Sequence, residues 1–174
     1  GEKTAKLTVS DSKGGTATRN VTVNVLEADD DGARFRALVF SKTAGFRHSS
    51  IGPGNAAIEE LGDVNGFQVD HTEDATAFRD EILSHYDTVI WLSTTGDVLN
   101  ADQQAAFERY IRAGGGYTGI HAAADTEYEW PFYTHLVGAS FRNHPAGTPT
   151  ATVHVEDTQD HSTQGLPAPN WQRT

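Results

Sequence analysis

The chain of 174 residues contains no cysteine. That single absence removes disulfides, thiolate metal ligands and a cysteine nucleophile. Methionine is also missing, even at the start, and the chain opens in what reads as the middle of a strand. We therefore expect a piece of a longer polypeptide, with no secretory leader visible inside it. No apolar run approaches the roughly 20 residues that a membrane-spanning helix needs. Positive charge is scarce: 13 Lys and Arg face 24 Asp and Glu, for a formal net charge of −11. Such a surface disfavours nucleic acid and anionic membrane as partners, and suits neutral or cationic ligands. The local metal-binding spacings HExxH and HxH do not occur. What is present is 37% hydrophobic residues, enough for a core, and eight histidines, the side chain best suited to proton transfer near neutral pH.

The stretch GGGYTGIHAAAD, residues 114–125, organises the rest. Gly114 to Gly116 end a preceding amphipathic helix and let the chain reverse. Residues 117–120 are apolar or small, as in a strand covered on both faces. His121 falls where that strand stops. Ala122, Ala123 and Ala124 leave room for something to approach closely. A strand, sharp turn and helix that together display one reactive side chain form an elbow, here carrying an imidazole.

Along the chain, residues 5–25 alternate polar and apolar, with Leu7 and Val9 on one face and Val21, Val23 and Val25 on another. Period two with Thr and Val enrichment predicts strands, and residues 11–16 supply a hairpin turn. Two strands alone cannot bury such a face, so we expect the end of a β-sandwich. The wording LTVSDSKGGTATRNVTVNV resembles the last two strands of a PKD domain. That resemblance covers residues 1–26 and implies an extracytoplasmic, secreted or cell-surface parent with further domains. Residues 27–34, with Asp29, Asp30 and Asp31 followed by Gly32, read as a solvated linker.

From residue 35 the period changes. Strands are expected at residues 35–40, 67–70, 87–92, 117–120 and 150–155, and helices at 55–61, 75–83, 101–113 and 130–137, with Asn100 as a helix cap. Strands and helices in turn predict a mainly parallel sheet with helices on both faces. Residues 161–171 read as a loop, and the remaining strands of the fold are expected beyond residue 174.

In a parallel sheet the loops after the strands gather at one rim, where ligands bind. That rim would collect His48 and His121, with His144 in FRNHP as a third imidazole. Such a set, or two imidazoles with a carboxylate such as Asp125 or Glu127, would hold a zinc-like divalent metal with an open position. A second reading makes His121 a general acid or base oriented by Asp125 or Glu127. Thr94, Thr95 and Gly96 could offer hydroxyls and backbone N–H groups to a substrate, and Arg47 is a further substrate-binding candidate. Trp130 could stack on a sugar ring.

The runs KTAGFRHSSI, VIWLSTTGDVLNADQQAAFERYIRAGGGYTGIHAAADT, FRNHP and DHSTQGLP occur in the order found in the trehalose-utilisation (ThuA-like) family. The resemblance covers about residues 34–174. It implies a flavodoxin-like, class I glutamine amidotransferase-like three-layer sandwich over residues 35–174, and a role in bacterial carbohydrate utilisation. His121 stands where those amidotransferases carry cysteine, so thiolate-dependent glutamine hydrolysis is excluded by residue type. The family's loop histidines match His48, His121 and His144. Two functions follow as expectations: a hydrolase or isomerase acting on a sugar or keto-sugar derivative, and a non-catalytic carbohydrate-binding or scaffold module.

Overall fold

The computed structural model describes residues 2–10, 16–24, 32–167 and 169–173. They fall in two units, Gly1–Phe141 and Arg142–Thr174. In the first unit, β1 (Glu2–Ser10) pairs antiparallel with β2 (Thr16–Asn24) through nine facing residue pairs, from Glu2 opposite Asn24 to Ser10 opposite Thr16. The expected hairpin is therefore present. Its turn at residues 11–15, and the predicted linker as far as residue 31, lie outside the described residues.

The change of period shows as a parallel sheet of four strands: β3 (Arg36–Phe40), β4 (Gln68–Thr72), β5 (Thr88–Leu92) and β6 (Gly116–Ile120), in the spatial order β4-β3-β5-β6. Between them run α1 (Ile51–Asn65), a 3-10 turn (Ala75–Ala77) with α2 (Asp80–Leu83), and α3 (Ala101–Arg112). A second 3-10 turn (His121–Asp125) and α4 (Pro131–Val137) follow β6. Successive side chains on a strand point to opposite faces, and β3 and β5 use this fully. Phe40, Val89 and Trp91 enter one cluster with Phe78, Leu83, Phe107, Trp130 and Tyr133. Val39 and Leu92 enter the other with Ile58 of α1. The layers are thus α1, the sheet, and α2 with α3 and α4, the expected α/β sandwich.

Trp91 is the centre of the larger cluster. Its ring lies 4.6 Å from Tyr133, 5.3 Å from Phe40, 5.4 Å from Phe107 and 5.6 Å from Phe78. α3 begins where the sequence places it. The Asn100 side chain accepts from Gln103 N–H and the Gln103 side chain accepts from Asn100 N–H, a complete capping box.

Four expectations are corrected. The helix at 75–83 is broken: the Asp74 side chain accepts from Thr76 N–H and starts a 3-10 turn, and Phe78 leaves helical geometry to bury its ring before the chain restarts at Asp80. β6 is not covered on both faces. It lies at the edge of the described sheet with only β5 beside it, and its residues are half-buried or exposed. The strand near residue 150 does not join the parallel sheet. In the second unit β7 (Ala151–His154) pairs antiparallel with β8 (Asn170–Arg173), Val153 facing Trp171. The end of the predicted loop at 161–171 is therefore strand. No helix among the described residues is long and apolar enough to cross a membrane.

Two substitutions in the full chain test this account of the core and the cap. Phe107→Ala, at a fully buried ring, is expected to cost about 3–5 kcal/mol. Asn100→Ala is expected to cost about 1 kcal/mol. Urea unfolding measures both, and equal costs for the two would contradict the assignment.

Candidate functional site

The histidine after β3 and the histidine after β6 are separated in the sheet by β5, so one loop must cross. Thr95, buried just beyond β5, makes the crossing. Its carbonyl accepts from Ala44 N–H (2.7 Å) and Gly45 N–H (3.2 Å), and its hydroxyl donates to the Phe46 carbonyl at 2.8 Å. Thr43 pairs with Thr95 as an isolated parallel bridge. Close approach is possible because position 96 is glycine. Gly96 has φ +74, and a Cβ there would sit 3.0 Å from Gly45 N. Beside this crossing the hydroxyls of Ser50 and Ser93 lie 3.3 Å apart.

The elbow at the end of β6 is real. His121 has φ 48, a left-handed conformation rare outside glycine, and opens the 3-10 turn. The turn is fastened at three consecutive carbonyls. Ala122 accepts from the Thr126 hydroxyl (3.2 Å), Ala123 from the Tyr133 hydroxyl (2.9 Å) and Ala124 from Phe141 N–H (2.7 Å). Ala122 and Ala123 are buried, so their small size serves packing of the turn and not the approach of a ligand. Gly119 shares that requirement, since a Cβ there would meet the Tyr117 hydroxyl at 2.7 Å. Backbone strain held in place by surrounding structure is a feature of functional sites.

The result is an imidazole pair. The rings of His48 and His121 meet edge to face with centroids 4.4 Å apart, and Phe46 packs edge to face on His48 at 4.8 Å. His121 is exposed and His48 half-buried. The His48 pKa is lowered from 6.5, first by burial, then by the neighbouring His121, against an opposing pull from Asp125. His48 Nδ1 is enclosed without a hydrogen-bond partner, which explains why charge on this ring is disfavoured. Asp125 accepts a 2.5 Å hydrogen bond from the Tyr128 hydroxyl, which also lies 2.8 Å from the Phe141 carbonyl. Desolvation, then the Asp125 carboxylate, push that hydroxyl up to about 12.

The other expected site residues are placed as follows. Glu127 is buried and its carboxylate is committed to the backbone. Oε1 accepts from Val98 N–H (2.8 Å) and Leu99 N–H (2.7 Å), and Oε2 from Gln104 Nε2 (2.6 Å). Burial raises its pKa while those three donors oppose the rise. Thr94 is buried with its hydroxyl 2.9 Å from that of Thr126, and Gly96 N–H donates to the Asp125 carbonyl at 2.8 Å. Thr94, Thr95 and Gly96 thus join the loops to one another. Trp130 belongs to the core, stacked on Tyr133 at 5.9 Å with an interplanar angle of 16°. Arg47 reaches Glu73 through two hydrogen bonds of 2.8 and 2.7 Å. Glu73 lines a crevice of about 560 Å³ on the same rim, together with Lys42, Asp74, Asp97, Asn100 and Gln103. His144 lies in the second unit. Among the described residues no group of three or more His, Cys, Asp or Glu side chains is placed to hold a metal ion. Sequence reading passed over Phe46, Tyr128, Ser50 and Ser93. Phe46 stands two residues before His48, and aromatic character next to a loop histidine was the available signal.

Residues 36–174 match the family model described as ThuA, trehalose utilisation. No curated protein matches the chain. Among solved structures, a protein described as ThuA-like from Bacteroides uniformis is similar, with 23% identity and a TM-score of 0.70 over 86% of this chain. A protein described as ThuA-like from Parabacteroides merdae is similar with 18% identity and a TM-score of 0.61 over 79% of this chain. This chain spans 62% and 60% of those two proteins. At such identities the likeness shows the fold alone.

The imidazole pair has a titration signature. NMR of the full chain should place the His48 midpoint below 6.5. His121→Gln removes one cause of the lowering and should move it up, while Asp125→Asn removes the opposing charge and should move it further down. A base whose folded pKa is depressed binds fewer protons folded than unfolded between the two values. Its stabilising contribution is therefore present above pH 6.5 and lost as pH falls through the folded value. A His48 midpoint that ignores both substitutions would contradict the described pairing.

Proposed function

The chain belongs to the trehalose-utilisation (ThuA) family, and from that premise we propose that its α/β domain is an enzyme acting on a sugar or keto-sugar derivative, of hydrolase or isomerase type. The observation that carries the reading is the contact of His48 with His121 on the strained elbow at the sheet's C-terminal rim. A His48 ring kept neutral near pH 7 can take a proton from a sugar hydroxyl or from carbon beside a carbonyl. His121, exposed at the elbow, delivers a proton to the oxygen on which charge develops. Asp125, whose charge favours protonated His48, offsets the positive charge formed in the transfer.

A zinc-like ion would have His48 and His121 as its ligands in this reading. No third donor is grouped with them among the described residues, and the proton transfers described above need only the side chains. The β1–β2 hairpin and its PKD-like wording support a further part of the proposal: an exported, multidomain bacterial parent in which this domain sits beside an immunoglobulin-like one.

His121→Ala in the full-length parent tests the reading. Turnover of a sugar substrate should fall by about 100-fold or more, with the circular dichroism spectrum unchanged. Unaltered turnover would remove the imidazole from the chemistry. Calorimetry against a sugar panel, with and without zinc, separates the enzyme from a carbohydrate-binding module, which would bind without forming product.

A further inference from the structure

Phe46 is 70% exposed. Isolated apolar side chains on a surface are ordinary, but this one is held in place. Its carbonyl accepts the Thr95 hydroxyl, and the two preceding N–H groups are bound by the Thr95 carbonyl. The backbone beneath the ring is therefore tied to a buried residue of the sheet rim, and the ring packs edge to face on His48. The rest of the ring is open to solvent beside the His48–His121 pair, and Asp125 lies within electrostatic reach of His48.

We propose that Phe46 is the stacking platform of the site, receiving the apolar C–H face of a neutral pyranose ring whose hydroxyls turn toward His48, His121 and Asp125. This deepens the sugar reading above and rests on it. A pyranose carries an apolar face bordered by hydroxyls, and the rim offers an apolar face bordered by hydrogen-bonding groups. The charge pattern selects a neutral occupant. The nearest guanidinium in the chain, Arg47, is already bound at both nitrogens by Glu73, and Asp125 repels anions. Trp130, the aromatic that the sequence offers first for this role, is unavailable because its ring is in the core.

The experiment measures binding and turnover of D-glucose, trehalose and D-fructose by the full chain and three variants. Phe46→Ala should raise Kd or KM about tenfold or more, with kcat within about threefold of the parent. Phe46→Trp should restore affinity, and its added indole fluorescence should change as sugar saturates the site. Phe46→Leu, apolar but without a flat face, should not restore affinity. An unchanged urea midpoint for Phe46→Ala, expected of an exposed side chain, excludes unfolding as the cause. Sugar binding indifferent to Phe46→Ala, or fully restored by Phe46→Leu, would overturn the platform and leave the sugar reading standing. Failure of the parent chain to bind any of the three sugars would overturn both.

Discussion

The capture of the loop after β3 by Thr95 is the contact on which the site depends. Without it, His48 and His121 belong to loops from strands with β5 between them. One residue closes the gap with its carbonyl and its hydroxyl: the carbonyl binds two backbone N–H groups and the hydroxyl a third partner. Thr95 is 1% exposed, and buried hydrogen bonds of this kind are costly to leave unmade. The loop is therefore held to one path. The positive φ of Gly96 and the absence of a side chain at Gly45 allow the two backbones to come close enough for the hydrogen bonds to form.

Around that contact the acidic side chains divide their work by burial. Glu127, adjacent in sequence to the elbow, is enclosed and gives its carboxylate to the start of α3 and the loop before it. With its own φ of 53, it sits in a strained conformation that these bonds and its backbone bonds to Gly96 and Trp130 hold. Asp125, two residues earlier and less buried, keeps its charge within reach of His48. Two carboxylates that look equivalent in a linear reading are thus a structural anchor and an electrostatic neighbour of the imidazoles. The same sorting separates the aromatics. Trp130 fills the core beside Trp91 and Tyr133, whereas Phe46 stays in solvent at the rim.

The family assignment and the fold agree, and both concern the α/β part of the chain. The fold supplies a rim at the carboxyl ends of parallel strands, where ligands collect in such sheets. It does not specify a reaction. The elbow of this domain displays an imidazole in contact with a second imidazole, in a chain with no cysteine.

The sequence by itself determined the layers. Short apolar runs at residues 36–40 and 88–92, the Asn100 cap and the Gly-rich break before residue 117 are local signals, set by side-chain character and backbone sterics. They translate directly into the sheet and its helices. It also determined that His121 would stand at a turn, because a strand followed at once by small residues has few other outcomes. Only the tertiary structure decided which residues meet. Whether Glu127 or Asp125 faces the imidazoles, whether Trp130 or Phe46 is open to a ligand, and whether residues 150–155 join the parallel sheet all depend on packing between segments far apart in the chain. Such packing is settled by burial and by the partners available to each backbone group, and neither is written in the spacing of residues.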